Sequence, residues 1–287
     1  MSPAPLHTTA ETALLPEARA AFADLVRRKV DHRWALHHRS SQAFALNLFA
    51  PLDSQHLGAV FALVGLEASS AGSIEFEYSD PDDRLGEIRP KSAHRTQVDV
   101  VIRGTSATGE RIVALIEVKF TEADFGHCSA YENVANPRRD NCRSAGLFGG
   151  NPDDCFQLAN HGAGRRTYYD HLAEIPVVQP SGAHDSAGCL VRTSLSQPMR
   201  TLALAHLLLD SDEADRVVSV LCAPAKHPTI WRRFAELRAA FPDTAERTTR
   251  ALTAEQVAAL HSDGGAAIAA RYPIDAVDWI QPKDLLS

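Results

Sequence analysis

Two apolar segments joined by a short polar link constrain the fold of this chain more than any other feature. Residues 96–103 and 111–120 are rich in Val, Ile and Leu, and the link between them is bounded by Gly104 and Gly109. This pattern predicts a β-hairpin. The two strands also carry isolated charges, which are Asp99, Glu117 and Lys119. Charges inside buried strands are costly unless they pair with one another or bind a metal ion.

Strand geometry brings these charges together. Glu117 and Lys119 are two residues apart and therefore project from the same face of their strand. We expect Gly104 or the residue before it to lie opposite Arg111, and this antiparallel register places Asp99 beside Glu117. Two carboxylates this close repel each other unless they share a proton or a divalent cation. Oxygen ligands favour Mg²⁺ or Mn²⁺.

The same three charges suggest a reaction. An ammonium group beside a bound cation can orient or deprotonate a water molecule and stabilise charge on a phosphate. The pattern therefore predicts metal-dependent hydrolysis of a phosphodiester bond. The alternative is a buried ion-pair triad of Asp99, Glu117 and Lys119 without catalysis, although such triads stabilise a core poorly.

Helices and strands are predicted on both sides of the hairpin. Before it, apolar spacing predicts helices over 11–38, 40–50 and 55–66. Alternation then predicts a strand with Ile74, Phe76 and Tyr78 on one face and with Glu75 and Glu77 on the other. After it, the pattern predicts a buried helix over 198–209, a buried strand over 216–222 and amphipathic helices over 228–240 and 253–261.

Residues 121–196 interrupt this regular pattern and are interpreted as an insertion after the hairpin. A segment of this length is expected to be functional, to be stapled by a metal or to carry short helices such as one over 157–169. It contains four of the five cysteines, which are Cys128, Cys142, Cys155 and Cys189. They could bind zinc or an iron–sulfur cluster, or could remain unligated thiols. The segment also contains basic residues suited to phosphate contacts, which are Arg138, Arg139, Arg143, Arg165 and Arg166.

Bulk properties limit the broad class of the protein. The 287 residues carry a net charge of −7, so contact with nucleic acid would require a local basic surface. Neither a secretory signal nor an apolar run of roughly 20 residues is visible, and we expect a cytoplasmic protein without a membrane span. A single domain over 1–287 is expected, with a core over about 40–223, the insertion within it and C-terminal helices over about 224–287.

Asp99, followed after seventeen residues by Glu117-Val118-Lys119, resembles the motif of the PD-(D/E)XK nuclease superfamily. The resemblance implies a restriction-endonuclease-like αβββαβ core, an α/β fold with a mixed central sheet flanked by helices. It further implies Asp99 and Glu117 as Mg²⁺ or Mn²⁺ ligands and Lys119 as the catalytic lysine. An additional acid is expected from Glu77 or Glu75. The chain departs from the motif before Asp99, where Val98 replaces the usual Pro.

Three further strings are similar to a bacterial branch of restriction endonucleases. They are Glu117-Val118-Lys119-Phe120-Thr121-Glu122, Ser40-Ser41-Gln42 and Gln197-Pro198-Met199-Arg200. This similarity implies that Gln197 supports the site and that the substrate is nucleic acid, with DNA preferred. A catalytically inactive nucleic-acid-binding protein of the same fold is the alternative function. A cysteine-bound metalloprotein, in which the strand charges only pair with each other, is the third.

Overall fold

A five-stranded mixed sheet forms the centre of the protein. The computed structural model describes residues 9–33, 35–37, 39–87, 95–141, 155–156, 170–172, 175, 189, 191–192, 195–272 and 274. The strands, which lie side by side in chain order, are β1 (Ala68–Tyr78), β2 (Val98–Ser106), β3 (Arg111–Val118), β4 (Arg216–Ala223) and β5 (Arg247–Thr253). The first three pair in antiparallel fashion, while β4 and β5 run parallel to β3.

The helices lie in sequence around this sheet. They are α1 (Ala10–Ala13), α2 (Pro16–Arg28), α3 (Ser41–Phe49), α4 (Ser54–Leu63), α5 (Ser129–Glu132), α6 (Ser196–Asp210), α7 (Ile230–Ala240), α8 (Ala254–Ala258) and α9 (Ala266–Arg271). One hydrophobic cluster joins one face of the sheet to α3, α4 and α8, and a second joins the other face to α6 and α7. Each strand of the centre is therefore buried on both sides.

The connections explain the strand directions. A tight turn joins β2 to β3, where the backbone N–H of Ser106 donates to the carbonyl of Glu110 at 2.9 Å, and a turn of this kind reverses the chain. In contrast, α6 connects β3 to β4 and α7 connects β4 to β5. Parallel neighbours require such long crossovers. The predicted mixed sheet flanked by helices is confirmed.

The hairpin register differs slightly from the prediction. Thr105 lies opposite Arg111 and Val100 lies opposite Ile116, so Gly104 belongs to β2 rather than to the turn. Continued by one residue, the observed register places Asp99 level with Glu117, whereas the predicted register placed Asp99 opposite residue 116. The predicted hairpin is confirmed, and its first strand continues further into the turn, to Ser106, than the two glycines suggested.

The predicted faces of β1 are wrong at its C-terminal end. Phe76 packs in the cluster beside α3, whereas Tyr78 packs in the cluster on the opposite face. Between them, Glu77 has a φ of 50°, in the left-handed region that non-glycine residues seldom adopt. This backbone conformation breaks the two-residue alternation, so the side chain of Tyr78 lies on the face opposite that of Phe76.

The remaining helices and strands match their predictions only in part. The hydroxyl of Ser40 accepts the backbone N–H of Ala43, as expected for the residue that caps α3. The helix predicted over 11–38 is two helices, with Pro16 at the first position of α2. Strand β5 was not predicted. The helix predicted over 157–169 lies outside the described residues, and no described helix is both long and apolar enough to cross a membrane.

Replacement of Gly104 by alanine should destabilise the fold. A Cβ atom at this position would lie 2.7 Å from the carbonyl oxygen of Ser70 and 2.8 Å from the Phe61 ring, closer than packed atoms allow. Overpacking of this kind costs about 1–3 kcal/mol in the free energy of unfolding. Urea denaturation of Gly104→Ala measures the loss. The matched control is Gly72→Ala, where the nearest atom would be 3.7 Å away, and an equal loss in both variants would contradict the prediction.

Candidate active site

The Asp99 carboxylate lies where β2 and β3 separate. Their ladder of paired residues ends at Val100 and Ile116. One step further, the backbone N–H of Val118 donates to Asp99 Oδ2 at 2.6 Å, so a side chain replaces the neighbouring strand as acceptor. This hydrogen bond holds the carboxylate of the partly buried Asp99 against the residue that follows Glu117 in β3.

Glu117 and Lys119 are held on the other side of this opening. Both residues are only 4% exposed, and the Lys119 Nζ atom is 2.9 Å from Glu117 Oε1. Lys119 Nζ also donates to Gln197 Oε1 at 2.8 Å, which joins β3 to the first turn of α6. Because the backbone N–H of Lys119 donates to the carbonyl of Cys222, the C-terminal end of β3 remains attached to β4.

Glu77 approaches the same site from β1. Its carboxylate is 2% exposed, and Glu77 Oε1 accepts a hydrogen bond from Gln42 Nε2 at 2.6 Å. Gln42 Oε1 in turn accepts the backbone N–H of His32 at 3.0 Å. Hydrogen bonds through Gln42 thus hold the Glu77 side chain in place at the point where its backbone adopts the left-handed conformation. Of the two candidate acids on β1, Glu77 reaches the site, whereas Glu75 pairs with Arg103 in a largely exposed ion pair.

The carboxylates raise one another's pKa. Burial, followed by the negative charges of Glu117 and Glu77, raises the pKa of Asp99 well above its ordinary value. Burial and the charge of Glu117 also raise the pKa of Glu77 to about 7, although the hydrogen bond from Gln42 opposes this change. The metal-free site therefore favours bound protons, which is the expected behaviour of clustered acids that lack a cation.

Lys119 remains charged despite its burial. Desolvation favours the neutral amine, but the charges of Glu117, Glu122 and Asp99 outweigh it and raise the pKa of Lys119 above its ordinary value. Glu122 shows the converse effect. Its burial is outweighed by the charge of Lys119 and by hydrogen bonds from Ser41 and the backbone of Phe120, so its pKa is lowered.

Gln42 and Glu122 belong to this arrangement, although the sequence pattern predicted no role for either residue. Gln42 orients Glu77, and Glu122 accepts the backbone N–H groups of Phe120 and Thr121 at 2.9 and 3.0 Å. Both stand in the strings that resemble the bacterial branch. Their functions could not be read from spacing, because each depends on a contact between distant elements or on a turn after β3.

The oxygen-rich donor set is suited to a hard divalent cation. Glu117 Oε1 is buried and has the Lys119 ammonium nearby, yet no donor among the described residues is aligned for a hydrogen bond to it. In the described part of the chain, no group of three or more His, Cys, Asp or Glu side chains could hold a metal ion. A cation here would therefore depend on two carboxylates and complete its shell with water and substrate, as Mg²⁺ commonly does.

The insertion is described only in parts. Cys128, Cys155 and Cys189 are buried in the hydrophobic cluster on the side of α6 and α7, whereas Cys142 lies outside the described residues. A site formed by all four cysteines thus stays a prediction. The fifth, Cys222, is buried in the other cluster, as expected for a core residue.

Two of the five predicted basic residues are described. Arg139 Nε donates to the carbonyl of Tyr131 at 2.9 Å, and its guanidinium lies 5.1 Å from the centre of the Tyr131 ring. The Arg192 guanidinium lies 5.3 Å from the same ring, and Arg138 is partly buried nearby in the chain. The other three, Arg143, Arg165 and Arg166, lie outside the described residues.

The fold and the clustered acids together define a mixed α/β protein with a charged site at a strand opening. The family described as "Restriction Endonuclease associating with ARP" matches residues 6–272, which is most of the chain. The protein belongs to this restriction-endonuclease family. Searches of curated proteins and of solved structures gave no match.

Glu77 should make the stability of the metal-free protein depend on pH. Unfolding returns its pKa from about 7 to an ordinary value near 4.5, so between these pH values only the folded state holds the proton. The free energy of unfolding therefore falls as pH rises through this window. Glu77→Gln should remove that part of the fall, leaving the variant more stable than wild type above pH 7 by on the order of 3 kcal/mol.

Chemical denaturation at several pH values with a chelator present measures this difference. Glu75→Gln is the matched control, because the same substitution two residues away alters a largely exposed carboxylate. Parallel stability curves for wild type and Glu77→Gln would refute the coupling of Glu77 to the buried site.

Proposed function

We propose that the protein is a metal-dependent nuclease of the PD-(D/E)XK type that hydrolyses phosphodiester bonds, with DNA as its substrate. The observation that carries the proposal is the convergence of Asp99, Glu117, Lys119 and Gln197 from three different elements. Membership of a restriction-endonuclease family indicates a nuclease. A core held together only by ion pairs has no need for three acids with a single lysine, because their mutual repulsion destabilises it.

The residues have distinct roles in this proposal. Asp99 and Glu117 would hold Mg²⁺ or Mn²⁺, which when bound would supply Lewis acidity and a more acidic water. Lys119, which is protonated beside these carboxylates, would stabilise negative charge on the phosphate and orient the attacking water. Gln197 fixes the ammonium, and Glu77 contributes a further acid that is close enough to respond to Glu117.

Contacts to the nucleic-acid backbone would come from basic residues of the insertion. Arg138 and Arg139 follow α5, and the segment that leads to them begins at the site, where the backbone N–H of Gln197 donates to the carbonyl of Phe125 at 3.0 Å. Clustered guanidinium groups bind phosphates strongly even on an acidic protein. Arg143, Arg165 and Arg166 belong to the same proposal through the sequence alone.

Two substitutions should abolish cleavage without unfolding the protein. Glu117→Gln removes a proposed metal ligand, and Lys119→Ala removes the charge that faces the phosphate. We expect each to lower the cleavage rate at least about a hundredfold, as loss of a preorganised electrostatic group does. Supercoiled plasmid, linear duplex and single-stranded DNA should be tested with Mg²⁺ and with Mn²⁺.

Glu75→Gln provides the control for this experiment, since it changes a carboxylate on β1 that does not reach the site, and it should cleave like wild type. DNA binding by the two inactive variants should persist. Wild-type protein that binds DNA but cleaves none of these substrates would instead support the inactive nucleic-acid-binding alternative. Loss of folding in both variants would favour the buried ion-pair triad.

A further inference from the structure

Three buried polar atoms form a row across neighbouring strands at the floor of the site. Glu117 Oε1 on β3, Ser219 Oγ on β4 and Thr249 Oγ1 on β5 each have no aligned hydrogen-bond partner among the described residues. Ser219 and Thr249 are only 6% and 1% exposed. Among the described residues, seven buried side-chain atoms lack an aligned partner, and three of the seven lie in adjacent strands, which calls for a common explanation.

The strand register places Ser219 beside Thr249 and one diagonal step from Glu117. Ser219 lies opposite Thr249 in the parallel pairing of β4 with β5, and it lies opposite Leu115 in the pairing with β3. Glu117 is two residues beyond Leu115, so its side chain projects from the same face at the next diagonal position. Val217 and Leu221, which flank Ser219 at a spacing of two residues, pack on this same face.

Glu117 and Ser219 line the same small cavity. It has a volume of about 10 Å³, and its lining includes Glu117, Ser219, Thr201, Phe234 and Leu237. A space of this size holds one water molecule at most and excludes a substrate or cofactor. The row is therefore an internal support for the site rather than a second binding site.

Hydrogen-bond chemistry fixes the direction of the row. An ionised carboxylate can only accept, so the hydroxyl of Ser219 must be the donor toward Glu117. The Ser219 oxygen can in turn accept from Thr249, a cross-strand pair of the kind that hydroxyl residues form in sheets. Glu117 Oε1 keeps its ion pair with Lys119 at 2.9 Å, but leaving the two buried hydroxyls unpaired would cost more than a small side-chain rotation that joins them to it.

We propose that Ser219 is a positioning residue for Glu117. Its hydroxyl donates to Glu117 Oε1, either directly or through one water in the cavity, and Thr249 donates to Ser219. This inference rests on the proposed function, because the purpose of the row is to hold a metal-binding carboxylate in place while Lys119 attracts the same oxygen. Second-layer hydrogen bonds of this type orient metal ligands and strengthen metal binding.

The test compares variants that differ only in the hydroxyl. Ser219→Ala should weaken Mn²⁺ binding about tenfold, measured by the electron paramagnetic resonance signal of free Mn²⁺. It should also lower kcat by a similar factor while leaving KM for DNA unchanged, since the row touches no substrate. Ser219→Thr keeps the hydroxyl, so both quantities should return toward wild type. Thr249→Val should cause a smaller loss in the same direction.

The controls separate this inference from the proposed function. Thr248→Val changes the neighbouring residue of β5, which points to the opposite face, and it should have no effect on Mn²⁺ binding. If wild type binds Mn²⁺ and cleaves DNA but Ser219→Ala behaves identically, the positioning role is refuted while the nuclease remains. Equal losses in Ser219→Ala and Ser219→Thr would also refute it, because they would reflect packing alone.

A high-resolution crystal structure tests the hydrogen bond without reference to activity. Ser219 Oγ within hydrogen-bond distance of Glu117 Oε1, or of a water shared with it, would support the inference even if wild type proved inactive, in which case only the proposed function would fail. A Ser219 hydroxyl that donates to a backbone carbonyl instead would overturn it.

Discussion

The acceptor that Asp99 supplies for the Val118 N–H is the interaction on which the site depends. Neighbouring antiparallel strands normally satisfy each other's backbone groups, and here the ladder between β2 and β3 stops at Val100. The strands can separate only because a side chain takes over as acceptor at 2.6 Å. Meanwhile β3 remains paired with β4 through Val118, opposite Cys222. One strand end is thus separated from its neighbour on one side and held by hydrogen bonds on the other, which gives a buried charged site on a stable sheet.

The site gathers buried charges, which normally destabilise a folded protein. Glu77 and Glu117 are almost fully buried, and Glu117 is paired with Lys119 at 2.9 Å. Burial raises the pKa of Glu77, so the protein sacrifices stability around neutral pH to keep this group in place. The positive φ of Glu77 adds backbone strain at the same residue. Strain and unfavourable charge at one position indicate that this position serves binding or chemistry more than folding.

The parts of the fold that follow local rules were predictable. Apolar strands around a Gly-bounded link predicted the hairpin. The isolated charges of Asp99, Glu117 and Lys119 marked the end of the hairpin away from the turn as the candidate site. Strand β5 escaped prediction because Arg247–Thr253 is polar, and its strand conformation comes from pairing with β4. The reversal of faces at Glu77 also escaped, since alternation assumes a regular backbone. Contacts such as that between Gln42 and Glu77 join residues far apart in the chain, which periodicity does not reveal.

The protonation of Lys119 and Asp99 in the metal-free site indicates what a bound cation would change in the proposed reaction. Sequence alone left Lys119 free either to orient or to deprotonate a water, and in the metal-free site the surrounding carboxylates raise its pKa. Asp99 holds a proton more readily than an ordinary acid, so a proton and a divalent cation would compete for its oxygens. A cation that displaces this proton also removes the repulsion between Asp99 and Glu117. Metal binding would then relieve the electrostatic cost of the apo fold, and the same event that assembles the site would stabilise the strands that carry it.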